Sequence, residues 1–183
     1  MPLRRWVARY GDHTITLCNH WSFVPGRGKG EWLDIDGRTV LSGPDALVNM
    51  GARLSGRFVL SGAEVEITGL IGWDRVRYRG QIFIDGTRIG GDATMGTVER
   101  DALEARLGGG IARYLVIYGL VQLGLPFGIA MAVIGPQGWD GIPIFLKTVA
   151  FAGGIYGLGM GLTWYALERR ALARLYPARA PGH

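Results

Sequence analysis

Cys18 and His20 are the residues of this chain best suited to nucleophilic chemistry. A spacing of two puts them on one face of a regular strand, where an imidazole can take the proton of a neighbouring thiol. The third, orienting group is missing: Asn19 and His13 both fall on the opposite face. Two ligands also fall short of the four of a structural zinc site or the three of a catalytic one. A lone cysteine in such a domain reads as a small buried hydrophobe. Asp34, Asp36 and Asp85 supply carboxylates, but without the spacing or closing glutamate of a calcium loop. Gly26-Arg27-Gly28-Lys29-Gly30 has the glycine and lysine of a phosphate loop without its spacing, and reads as an inter-strand loop. Arg75, Arg77 and Arg79 alternate and are expected along one solvated strand face, with lipid headgroups as the alternative contact. No catalytic residue, metal or cofactor is expected from these groups.

The elements that would position these groups read as β. His13 to Cys18, Glu31 to Ile35, Ala63 to Thr68 and Val76 to Ile84 alternate polar and apolar residues between glycine turns. Period two with frequent turn signals predicts an all-β domain over residues 1–95, a small antiparallel β-sandwich. Ile35-Asp36-Gly37-Arg38-Thr39-Val40 and Ile84-Asp85-Gly86-Thr87-Arg88-Ile89 are near copies. Asp36-Gly37 and Asp85-Gly86 are hairpin turns, because a type I′ turn needs positive φ at both central residues. Upstream, Thr14-Ile15-Thr16-Leu17 is expected to correspond to Glu64-Val65-Glu66-Ile67, with Trp21 and Trp73 following. The domain is thus read as two internal repeats, each strand, loop, strand, Asp-Gly turn and short strand, packed on one another.

One pattern spans the first copy: His13-Thr-Ile-Thr-Leu-Cys-Asn-His20, a loop through Gly28 to Gly30, then Leu33-Asp-Ile-Asp36-Gly37. The second copy keeps Ile82-Phe-Ile-Asp85-Gly86 without the histidines. Over about residues 6–92 this resembles the Fas apoptotic inhibitory molecule family. The resemblance implies a compact β-sandwich and a non-enzymatic, protein-interaction role. It carries no functional residue over, and the chain downstream departs from that family.

Of 183 residues, 48% are apolar and 19% charged, an ordinary average that conceals a partition. Only Asp140 and Lys147 are charged between Tyr114 and Leu167, whereas the rest of the chain carries the other 33 of the 35 charged residues. Tyr114 to Gly135 and Thr148 to Leu167 are uncharged runs, each long enough to cross a hydrocarbon core of about 30 Å as a helix. The expected organisation is a helical two-span transmembrane hairpin over residues 111–176, with spans at about 112–135 and 146–167. Gln122 and Pro126 interrupt the first span and are tolerated where a neighbouring helix serves the backbone. Residues 1–14 lack the apolar core of a signal peptide.

Orientation follows from the basic residues. Arg100, Arg106 and Arg113 precede the first span, and Arg169, Arg170, Arg174 and Arg179 follow the second. The loop around Trp139 holds Asp140 and no base before Lys147. Both termini are therefore expected in the cytoplasm, in the inner membrane if the cell is bacterial. The net charge of +5 lies mostly in the C-terminal part, where it reports topology and attraction to anionic lipid. No basic stripe with stacking aromatics points to nucleic acid.

Gly153, Gly157 and Gly161 share one helix face, as do Gly124, Gly128 and Ala132. Such stripes let helix backbones approach closely in lipid. They are expected to pack the hairpin against itself, with a homodimer as the alternative. Residues 96–110 read as a short helix with Thr97 as its N-cap, followed by the Gly108-Gly109-Gly110 linker. The second span is expected to continue through Tyr176 and stop before Pro177, and residues 177–183 read as a disordered tail. No acid or histidine lies in the uncharged runs, so a proton or ion path has only Gln122 to build on. The leading expectation is a membrane-anchored, non-enzymatic module that binds a protein or the bilayer surface. The alternatives are a membrane-associated enzyme using Cys18 and His20, or a small transporter or channel subunit.

Overall fold

The structure is a computed structural model that describes residues 3–20, 30–43, 51–134 and 142–177. Trp21, the loop from Gly26 to Lys29, Trp139, Asp140, Arg179 and His183 lie outside the described residues, and so does most of the expected tail. The chain divides into two compact units: Met1–Ala102 with Arg170–His183, and Leu103–Arg169.

The first unit holds two four-stranded antiparallel sheets, in the orders β1-β2-β3-β4 and β5-β6-β7-β8. The strands are β1 Leu3–Tyr10, β2 His13–His20, β3 Gly30–Ile35, β4 Arg38–Ser42, β5 Gly51–Leu60, β6 Ala63–Trp73, β7 Tyr78–Ile84 and β8 Thr87–Gly91. Strands β1 and β5 are additions to the expected repeat. Each lies at a sheet edge, where arginines on the outward face dilute the apolar signal. In β1, Arg5 and Arg9 point away from the core while Trp6, Ala8 and Tyr10 pack against it.

The sheets meet face to face through Ile15, Leu17, Leu33, Ile67, Ile71 and Ile82, each at most 1% exposed. Burying a side chain of this kind contributes about 1.5–3 kcal/mol. The contact is not symmetrical. A Cβ on Gly69 would lie 2.7 Å from Leu17 Cδ1 and 3.4 Å from Leu33 Cδ1. Leu17 therefore fills the space that the absent side chain of Gly69 leaves.

The register corrects the expected alignment of the repeats. Ile15 pairs with Ile35 and Leu17 with Leu33, while Ile67 pairs with Ile84 and Gly69 with Ile82. Thr14 is thus equivalent to Glu66, two residues beyond the expected partner Glu64. A shift of two keeps every side chain on its face, so alternation cannot detect it. The turn aspartates fix it instead. Asp36 exchanges backbone and side-chain hydrogen bonds with Thr14, accepting the Thr14 N–H on Oδ1 at 2.8 Å, and Asp85 does the same with Glu66 at 2.8 Å. Both repeats also carry a bulge at the matching place, between Leu33 and Asp34 and between Ile82 and Phe83. Asp36 and Gly37 have φ of 50° and 78°, and Asp85 and Gly86 of 48° and 78°. These are the left-handed values of a type I′ turn.

The segment expected as one helix capped by Thr97 is broken. Gly96–Val98 form a single 3-10 turn, and Glu99, extended at φ −62° and ψ 146°, separates it from helix α1, Arg100–Leu107. The reason is burial: Val98 is drawn onto the outer face of the second sheet, where Gly72 leaves room for it and for Met95. Positive φ at Gly96, +62°, gives the chain its reversal.

The second unit is built on two helices long and apolar enough to cross a membrane. Helix α2 runs continuously over Gly110–Ile134, and helix α3 over Ile142–Leu175, of which Arg170 onward belongs to the first unit. Within α2, Leu115–Gly124 is wound as a π-helix, and the Leu125 N–H donates to Leu120 O, five residues back. Pro126 follows immediately. It has no N–H to give and its ring crowds the carbonyl four residues before it, and the wider turn lies just ahead of it.

Candidate functional site

Cys18 and His20 do share the outer face of β2, with Asn19 turned to the core side, but Cys18 is only 1% exposed. Its neighbours across the sheet are Arg5 and Trp32. Burial pushes the Cys18 thiol up, and the charge of Asp34 adds to this, outweighing the attraction and hydrogen bond of Arg5. A nucleophilic cysteine needs the opposite shift. The carboxylates are likewise committed. Asp34 accepts from Trp32 Nε1 at 3.1 Å and Thr39 Oγ1 at 2.7 Å, and Asp36 Oδ2 meets His13 Nδ1 at 2.7 Å. Among the described residues no cluster of three metal-ligating side chains occurs.

The three alternating arginines do not share a strand face. Strand β7 starts only at Tyr78, so Arg75 and Arg77 sit in the β6–β7 turn. Arg79 pairs with Asp74 at 2.5 Å, and Asp74 Oδ1 also accepts the amides of Val76 and Arg77. Burial raises the Asp74 carboxyl, but Arg79 and these two amides outweigh it and hold the carboxyl below its ordinary range.

An open cleft of about 360 Å³ lies on the outer face of the second sheet, between Gln81, Phe83 and Arg88 and the segment Glu99 to Asp101 with Tyr176. Gln81, Arg88 and Tyr176 in its lining already serve backbone carbonyls. Gln81 Nε2 reaches Asp92 O at 3.0 Å, Arg88 bonds the carbonyls of Asp92 and Ala93, and the Tyr176 hydroxyl donates to Val98 O at 3.2 Å.

In the second unit the helices touch backbone to backbone. A Cβ on Gly119 would lie 2.7 Å from Gly157 O, and one on Gly128 would lie 2.5 Å from Val149 O. A Cβ on Gly124 would overlap Gly153 O, and one on Gly161 would lie 2.9 Å from the Gly119 Cα. The face that α2 turns to α3 is therefore Gly119, Gly124 and Gly128, while Ala132 is half-buried. Gly119 escapes a search at fourfold spacing because the π segment carries the stripe across five residues. Pro126, in the middle of the apolar run and two residues past the π segment, is the one signal in the sequence of an altered turn.

Next to this seam, Tyr114 is fully buried between the rings of Tyr118 and Tyr165, at centroid distances of 4.8 and 5.3 Å. Arg106 Nε donates to Glu168 Oε2 at 3.1 Å, and Glu168 is 1% exposed. Glu168 was not among the expected functional residues, because it lies one position beyond the second uncharged run. Its carboxylate offsets the charge of Arg106, one of the bases counted for topology. Of the others, Arg113 and Arg170 are exposed, and Arg169 lies 6.0 Å from the centre of the Tyr165 ring. Gln122 is exposed and is not on the seam.

Together these features define a small antiparallel β-sheet domain fused to two apolar helices, a membrane-associated module. No family model, curated protein or solved structure matches the chain.

Proposed function

We propose that this chain is a membrane-anchored, non-enzymatic interaction module. The β-sandwich and both termini lie in the cytoplasm, and α2 and α3 form the anchor. The observation that carries this reading is where the apolar surface lies. Among the described residues, the large hydrophobic side chains that stand exposed are, all but Leu3, Val7, Val59 and Val76, on the two helices, Ile111, Val116, Phe151, Ile155 and Leu162 among them. Among the described residues from Leu115 to Leu167, those buried are the glycines of the seam, as lipid-facing helices require. The resemblance of residues 6–92 to the Fas apoptotic inhibitory molecule family supports a binding role for the sandwich. The buried, unactivated Cys18 weighs against the enzyme reading. A protein partner is preferred over a homodimer through the glycine stripes, because those stripes already cover each other. Asp140→Cys in intact cells tests the orientation. Labelling by a membrane-impermeant maleimide is expected from outside, and labelling only after lysis would reverse the topology. A pull-down from solubilised membranes with the full chain as bait is expected to recover a protein partner.

A further inference from the structure

The four tight turns of the sandwich, at Gly11, Gly37, Gly62 and Gly86, lie at one end of its strands. The other end begins at Leu3 and carries the β6–β7 turn, Asp74 to Arg77. Both points where the chain leaves the first unit belong to this second end. Val98, just before α1, lies on Gly72, and Leu175, at the end of α3, lies on Gly51. Gly51 and Gly72 are register partners one residue from the turn.

At the tip of that turn Val76 is 84% exposed. It is held out rather than loosely displayed. Asp74 is buried, receives the Val76 and Arg77 amides, and is clamped by Arg79, while the Asp74 N–H donates to Arg77 O at 3.0 Å. Arg75 takes φ +72° to complete the turn. Arg77 is exposed beside Val76. Arg4 Nη1 donates to Tyr78 O at 3.0 Å, which brings a second exposed cation and Leu3, 40% exposed, to the same edge. An apolar tip set between cations, with the neighbouring acid buried and committed, is complementary to the headgroup layer of an anionic bilayer. Phosphates there meet the cations, and apolar atoms enter the layer below.

We infer that the β6–β7 turn is a membrane-contact loop, with Val76 entering the interface of the anionic bilayer and Arg77 and Arg4 meeting its phosphates. This rests on the reading of α2 and α3 as a membrane anchor.

The test uses the full chain in phosphatidylcholine vesicles with and without phosphatidylglycerol. Cysteines are placed singly by Val76→Cys, Val59→Cys and Phe151→Cys, and each is labelled with an environment-sensitive fluorophore. Cys18 stays in place, and the parent chain checks that its buried thiol takes no label. Val59, 72% exposed, sits at the tight-turn end, and Phe151, 74% exposed, is on α3. With phosphatidylglycerol present, the label at 76 is expected to shift to the blue and be quenched by nitroxide lipid, while the label at 59 stays water-like. Each of Arg77→Gln and Arg4→Gln is expected to lower the inserted fraction about fivefold. Raising the salt to about 1 M, where screening extends only about 3 Å, is expected to do the same. A water-like label at 76 with a quenched label at 151 overturns the loop assignment and leaves the anchor intact. An unquenched label at 151 overturns both. A label at 76 that is water-like in vesicles and shielded only in native membranes overturns the lipid assignment in favour of a protein partner.

Discussion

Gly157→Ala and Gly159→Ala place the same methyl group on the same helix, two residues apart, with opposite expected results. At position 157 the new Cβ would lie 2.7 Å from Gly119 O and 2.9 Å from the Gly124 Cα. Both are main-chain atoms of the facing helix and cannot rotate away, so α2 and α3 must separate. At 159 the same atom meets nothing within 4 Å. Overpacking of this kind costs about 1–3 kcal/mol. Gly159→Ala, in contrast, relieves the poor helix propensity of glycine by up to about 1 kcal/mol. Thermal unfolding of the helical signal in detergent, or in vesicles, reads the difference. A chain of this size shifts by about 2–4 °C per kcal/mol, so Gly157→Ala should melt about 5 °C lower than the parent. Gly159→Ala should melt at or above it. Equal melting temperatures for the two variants would refute the argument that the seam is held by backbone contact.

Glu168→Gln should destabilise the helical unit by about 3–5 kcal/mol by removing the buried carboxylate that Arg106 Nε meets at 3.1 Å, and Arg106→Met with Glu168→Leu should recover most of that loss on the same melting assay. Gly69→Val should cost the sandwich about 1–3 kcal/mol because it strikes Leu17, and adding Leu17→Ala should return part of it, read as coupling in a double-mutant cycle. The Asp36 carboxyl is held below its ordinary range, first by the His13 hydrogen bond and then by the Thr14 amide. Its contribution is therefore present above the ordinary carboxylate value of about 3.9 and is lost as pH falls through the depressed value. Asp36→Asn should flatten acid unfolding below about pH 4. Cys18 should resist alkylation at neutral pH in the native chain and react once the domain is unfolded, as followed by mass spectrometry.

The sequence patterns disclosed the β character, both Asp-Gly turns and both apolar helices, because each rests on a local signal: period two, positive-φ residues, or an uncharged run. What escaped depends on neighbours. The two-residue offset between the repeats is invisible to alternation and is set only by where Asp36 and Asp85 find their partners. Strands β1 and β5 were hidden by edge arginines. Thr97 has the right chemistry for a cap, but burying Val98 on Gly72 overrides that propensity. Gly119 joins the seam only because the helix is wound wider ahead of Pro126. Glu168 looks like a solvent-facing charge until Arg106, 62 residues earlier, is brought beside it.

The contact between Leu17 and Gly69 bears on how the two sheets recognise each other. They are similar enough in pattern that either could be offered a copy of itself, yet one presents a leucine and the other a glycine at the centre of the shared face. Two copies of the first sheet would set leucine against leucine, and two copies of the second would leave a void between glycines. Both mismatches disfavour like-with-like pairing. The repeats behave as lock and key rather than as twins, so each sheet is fitted to the other and not to a copy of itself.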